Sequence, residues 1–159
     1  MTRVLHVAVV GSGSAERDEL VLAEEVGRLL ATRGALVVCG GLGGVMEAAC
    51  RGAKSVGGMT VGLLPGPDRR DANAWVDVPI PTGLGEARNA LVVRAADVVI
   101  AIGGEYGTLS EIALALKTGK PVVGLETWEL SRRGVPATDI VRASTPADAV
   151  ERALELAAS

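Results

Sequence analysis

Short apolar runs that do not alternate with polar residues recur along this chain: Val4–Val10, Ala35–Cys39, Met59–Leu64, Val98–Ile102 and Val122–Leu125. A strand with one wet face would alternate, so these runs predict strands covered on both faces, as in a parallel sheet between helices. Between them the period becomes helical. Leu22, Val26, Leu29 and Leu30 share a face, with Arg33 in the last turn and Gly34 as the stop. Val45, Ala48, Ala49, Gly52, Ala53 and Val56 form a stripe of mostly small side chains, which lets a helix sit close to the sheet. Further helices are expected from about Leu84 to Ala95, from Thr108 onward, and after Thr145-Pro146-Ala147-Asp148. In the last, an N-cap, a proline at the first helical position and a first-turn acid coincide, with Ala147, Val150, Leu154 and Ala157 facing inward. Pro65–Ala74 reads as an exposed loop, Trp75–Ile80 as a short strand that its prolines confine to an edge, and Ile140–Arg142 as a last short strand. Strands alternating with helices predict an α/β fold: a single doubly wound, mostly parallel sheet flanked by helices, with residues 1–159 as one domain.

Ligands of such sheets bind at the carboxyl ends of the strands. Three predicted strands end there in glycine turns: Gly11-Ser12-Gly13-Ser14, then Gly40-Gly41-Leu42-Gly43-Gly44, then Gly103 to Thr108 with Gly104 and Gly107 between. Glycines permit close backbone approach, and the free N–H groups at a following helix start favour a phosphate or carboxylate. Three turns on one edge point to a nucleotide-like ligand. Thr108-Leu109-Ser110-Glu111 also fits an S/T-x-x-E capping box, in which Thr108 and Glu111 close the helix and need no ligand. The dinucleotide fingerprint is poorly met, because Glu16 stands where its third small residue belongs and strand two ends in Cys39-Gly40 without a ribose-binding acid. No Lys and Ser/Thr follow the glycines as a Walker A loop requires.

Composition removes other classes of partner. With a net charge of −3, basic residues at most in pairs, no Phe, one Tyr and two Trp, the chain lacks the charge and stacking surface for nucleic acid. No apolar stretch is long enough to span a membrane and the start lacks a signal-peptide profile, so a cytoplasmic location is expected. Cys39 and Cys50 are isolated and His6 is the only histidine, so neither a disulfide nor a bound metal is expected, and no cofactor.

On the helix from Leu84 the apolar stripe would be Leu84, Ala87, Leu91, Val92 and Ala95, and Arg88 falls inside it. A guanidinium there either snorkels to the rim or points at an anion over the same strand ends as Gly103–Thr108.

Val38-Cys39-Gly40-Gly41-Leu42-Gly43-Gly44-Val45-Met46, Val61-Gly62-Leu63-Leu64-Pro65, Arg88, and Ala101 to Glu111 together resemble the Lonely Guy superfamily of Rossmann-like proteins, long mislabelled lysine decarboxylases. The resemblance runs through nearly the whole chain. It implies a phosphoribohydrolase that cleaves AMP-type nucleotides to base and ribose 5-phosphate, with Arg88 and Glu111 as catalytic residues. The family's P-G-G-x-G-T-x-x-E motif has Gly103 for its proline and Glu105 for its second glycine, and its Arg-Lys pair is Arg88-Asn89. These departures resemble the branch close to the molybdenum cofactor carrier protein, which implies as the alternative a non-catalytic carrier of a nucleotide or pterin nucleotide. In the enzyme reading the turn at Gly103–Thr108 and Ser12-Gly13-Ser14 would hold the 5′-phosphate. The lysine decarboxylase label fails, because Lys54, Lys117 and Lys120 lie away from the glycine turns and no pyridoxal phosphate site is recognisable. The helix from Thr108 is apolar nearly all round, through Leu109, Ile112, Ala113, Leu114, Ala115 and Leu116, which predicts a homodimer or higher homo-oligomer built on it and on the helix carrying Arg88.

Overall fold

The computed structural model describes residues 2–159. Seven parallel strands form one sheet in the order β4-β3-β2-β1-β5-β6-β9. They are β1 (His6–Gly11), β2 (Leu36–Cys39), β3 (Thr60–Leu64), β4 (Val78–Pro81), β5 (Val98–Ile102), β6 (Val122–Leu125) and β9 (Ile140–Ala143). β7 (Ser131–Arg132) and β8 (Val135–Pro136) pair separately as a small antiparallel hairpin that the hydrophobic pattern did not show. Its turn places Arg133 and Gly134 at positive φ. Every residue of β5 is buried, as its unbroken apolar run requires. Pro79 and Pro81 lie on β4, the edge strand, where a missing N–H leaves only one ladder incomplete.

Helices α1 (Arg17–Thr32), α2 (Val45–Ser55) and α5 (Pro146–Ala158) cover one face, and α3 (Arg88–Arg94) and α4 (Tyr106–Lys117) the other. Val7, Val9, Val37, Ile100 and Ile102 pack into the first layer, Ala8, Val10, Val38, Val99 and Ala101 into the second. The small stripe on α2 serves chiefly its contact with α1: a Cβ on Gly52 would lie 1.9 Å from the carbonyl oxygen of Glu24, and one on Gly27 the same distance from that of Ala49. Thr145 caps α5, its hydroxyl accepting from the Asp148 N–H at 3.1 Å, but Ala147 is exposed and Ala149, Val150 and Ala153 carry the buried face. No helix among the described residues is long and apolar enough to cross a membrane.

Two helix starts differ from the pattern reading. The segment after Leu84 first makes a single 3₁₀ turn, Gly85–Ala87, with Gly85 at φ +58°, so α3 begins only at Arg88. That turn rotates the helix: Arg88, Val92 and Val93 are buried, whereas Leu84 and Leu91 face outward. Helix α4 begins at Tyr106, with Glu105 before it, and so Thr108 is its third residue rather than its cap. No side-chain capping bond forms there, and the Thr108–Glu111 capping box does not exist.

Candidate functional site

Parallel pairing brings all the strand ends to one edge, and the order changes direction between β1 and β5, where Gly11 lies opposite Ile102. The turns leaving these two strands face each other across the crevice that such a reversal opens. A cleft of about 390 Å³ occupies it. Of the residues expected at a site, Gly11, Ser12, Gly13, Arg88, Gly107, Thr108 and Glu111 line it. Met46, Pro65, Gly85, Glu86, Asn89 and Glu105 line it as well and were not foreseen.

Arg88 does not snorkel. It is 9 % exposed, and its Nε is buried with no hydrogen-bond partner. Gly40 makes its seat: a Cβ there would lie 2.2 Å from Nη1 of Arg88 and 2.7 Å from Sδ of Met46. Gly40 therefore supports the guanidinium from below and does not line the cleft. The loop ahead of α3 is anchored by the Gly85 N–H, which donates to the Pro65 carbonyl at 2.9 Å, tying the start of α3 to the end of β3. A guanidinium always carries its charge and offers five donors, so a buried, unpartnered one is costly unless an anion completes it.

Glu111 lies one turn inside α4 from Thr108, 7 % exposed. Burial pushes its carboxyl up to about 7, and the charge of Arg88 opposes that rise only in part. A carboxyl that titrates near neutrality, beside a buried cation and open to a cleft, has the properties of a general acid or base. At the start of α4 the N–H groups of Tyr106, Gly107 and Thr108 precede the first intrahelical bond, from Leu109 to the Glu105 carbonyl at 2.9 Å, and are open donors. The turn before them is braced from the end of β6, where Thr127 donates to the Gly103 carbonyl at 2.5 Å and the Trp128 indole to the Glu105 carbonyl at 3.2 Å.

The other expected residues play different parts. Gly103 and Gly104, at φ +52° and +93°, clear space not for a ligand but for Glu19 and Thr108. A Cβ on Gly103 would sit 1.6 Å from Oε1 of Glu19, and that same oxygen accepts from the Gly104 N–H at 3.4 Å. A Cβ on Gly104 would meet Oγ1 of Thr108 at 2.4 Å. Ser14 is exposed and outside the cleft, its N–H donating to Oγ of Ser12 at 3.0 Å. Gly41, at φ +78°, packs on Leu64, and Gly43 lies near the Gly13 carbonyl. Beneath the Gly40 turn, Cys39 and Cys50 are free buried thiols with sulfurs 3.5 Å apart, and contact with Cys39 together with burial pushes the Cys50 thiol up. Among the described residues no cluster of three His, Cys, Asp or Glu could hold a metal ion.

Over residues 4–151 the chain matches the family described as SLOG cluster4. Its sequence is 35 % identical over 132 residues to the cytokinin riboside 5′-monophosphate phosphoribohydrolase of Mycobacterium tuberculosis, spanning 77 % of this chain and 71 % of that one. Its structure is similar to that of the molybdenum cofactor binding protein from the phototrophic bacterium Rippkaea orientalis, with a TM-score of 0.88 at 35 % identity over 98 % of this chain and 99 % of the other. It is similar also to the molybdenum cofactor carrier protein of Chlamydomonas reinhardtii, with a TM-score of 0.87 at 36 % identity over 99 % and 100 % of the two chains.

Proposed function

The chain belongs to the SLOG cluster4 family, and from that premise we propose that it binds a small nucleotide-like molecule, a nucleoside 5′-monophosphate or a pterin nucleotide, in the cleft between β1 and β5. The observation that carries this reading is Arg88, nine-tenths buried with an unpartnered Nε, facing a cleft that also receives the open start of α4. The phosphoryl group would be held by Arg88 and the N–H groups of Tyr106, Gly107 and Thr108, an arrangement that combines a cation with a helix dipole. Ser12 and Gly13 form the opposite wall. The similarity to molybdenum cofactor binding and carrier proteins supports binding of a phosphorylated cofactor by this fold. Calorimetric titration with AMP tests the reading. One site per chain that Arg88→Ala weakens supports it, and equal affinity in that variant removes it.

Glu111 favours a second reading, in which binding is followed by hydrolysis of the N-glycosidic bond, and the similarity to the phosphoribohydrolase supports it. Water would add its hydroxyl to C1′ and the departing base would take the proton, with Glu111 orienting the ribose hydroxyls or accepting the proton of the water. Free base released from AMP and N6-substituted AMP by wild type and Glu111→Gln separates the readings. A fall of roughly 10²-fold or more supports hydrolysis, being the usual scale for loss of a general base. No release by either protein, while AMP binds, leaves a carrier.

We propose further that the chain forms a homodimer on the face of α3 and α4. Leu84 and Leu91 are 53 % and 37 % exposed, and Ala113 is exposed beside half-buried Leu109 and Leu116, an apolar strip bordered by exposed Arg94, Ser110 and Lys117.

A further inference from the structure

We propose that the cleft takes up its anionic ligand together with a proton, which Glu111 holds while the ligand is bound, so that the ligand is let go as the surroundings turn alkaline. This inference rests on the binding reading above and adds a means of regulation to the same site.

The placement of two side chains leads to it. Arg88 and Glu111, 9 % and 7 % exposed, line one cleft of about 390 Å³, and Arg88 is the one cation in its lining among the described residues. Glu111 stands three residues on from Thr108 along α4, and residues at that spacing are neighbours on a helix, roughly 5–6 Å apart at Cβ. A phosphoryl group held by Arg88 and the N–H groups at the start of α4 is therefore brought up beside a buried carboxylate. Two negative groups that share one buried cation cannot both stay ionised cheaply, and the weaker acid keeps a proton. Glu111 is the weaker acid. Burial already holds its carboxyl up at about 7, with only the attraction of Arg88 against it, and a bound phosphate dianion claims that attraction for itself.

The other groups that face Glu111 do not offset this. Cys39, at the end of β2 below Arg88, feels both charges, and its thiol is held down chiefly by contact with Cys50. Glu86, from the turn before α3, and Glu105, from the start of α4, are exposed acids that add negative charge at the rim. The turn after β1 and helix α2 bring only Ser12, Gly13 and Met46 to the cleft. In the loaded site Glu111 is thus a hydrogen-bond donor. Of the two parts open to it under hydrolysis, it keeps that of orienting the ribose hydroxyls.

Calorimetric titration with AMP at pH 8, repeated in buffers of different ionisation enthalpy, counts the protons, because each one is drawn from the buffer and adds its heat. At that pH the 5′-phosphate, whose second ionisation lies at about 6, is already a dianion and takes no part. Wild type should take up about half a proton per AMP or more, as expected if binding raises Glu111 by a further pH unit or two. Its affinity should fall roughly three- to sixfold between pH 7.5 and pH 8.5. Glu111→Gln should take up none and bind equally at both pH values, while Cys39→Ala should keep the wild-type uptake. Melting curves establish that each variant is folded. Chromatography shows whether AMP stays intact during the titration, and ribose 5-phosphate, which has no base to lose, replaces it if base is released. The proposal is overturned if wild type binds without proton uptake, if the uptake persists in folded Glu111→Gln, or if it disappears in folded Cys39→Ala. Should neither ligand bind wild type at all, the binding reading itself falls, an outcome distinct from these three.

Discussion

Replacing Glu111 by glutamine should stabilise the protein at alkaline pH, which a residue retained for structure would not permit. Burial raises the folded-state carboxyl from an ordinary 4.5 to about 7, a value that already includes the opposing attraction of Arg88. Below pH 4.5 the group is protonated in both folded and unfolded chains and the folded state suffers nothing. As pH rises from 4.5 toward 7 the unfolded chain gives up its proton while the folded chain keeps it, and this group's contribution to stability is lost over that window. At 1.36 kcal/mol for each pH unit, the penalty above pH 7 is on the order of 3 kcal/mol. Glutamine has nearly the same shape and does not titrate. Urea unfolding followed by circular dichroism, on both proteins at pH 8 and pH 4.5, reads the difference directly, because every other titrating group cancels between them. The variant should be more stable by roughly 3 kcal/mol at pH 8 and by no more than about 0.5 kcal/mol at pH 4.5. A gap of the same size at both pH values, or a variant less stable at pH 8, would refute the reasoning and return Glu111 to a packing role. A stability gain would instead mark a carboxylate kept for its chemistry or its ligand.

Gly40→Ala should separate binding from folding. The would-be Cβ strikes the movable end of Arg88 at 2.2 Å rather than backbone, so the melting temperature should change little, while displacement of the guanidinium weakens AMP by roughly 10-fold or more in calorimetry. Unchanged AMP affinity in a folded Gly40→Ala protein would show that the seat does not matter. The proposed dimer predicts about twice the chain mass by light scattering at micromolar concentration, and a monomer for Leu91→Glu, which places a charge in the centre of the strip. A wild-type monomer under those conditions removes the dimer.

The parts of the molecule that could be read from the chain are those whose cause is local. The unbroken run of β5, the proline-bearing edge strand and the Thr145 cap of α5 each follow from a few adjacent residues, and the structure places them where that pattern implies. Arg88 could be singled out because a charge amid apolar neighbours is visible in one dimension. Its orientation was not, since one left-handed residue, Gly85, shortens the helix and turns Leu84 and Leu91 outward. The hairpin at Arg133-Gly134 has strands of two residues each, too short for any period to register.

Glu19 was out of reach for a different reason. It reads as an ordinary acid in a first helical turn, and its partner Gly104 is 85 residues away. That distance also explains why Gly103 and Gly104 misled. A glycine in a strand-to-helix turn records that something comes close to the backbone, but not whether the visitor is a ligand or another part of the chain. At β5 it is Glu19 against Gly103 and Thr108 against Gly104; at β2 it is Arg88 against Gly40. A count of glycine turns therefore overstates an anion site. What decides the matter is which donors remain unspent once the chain has satisfied its own, and on the cleft these include the N–H groups at the start of α4.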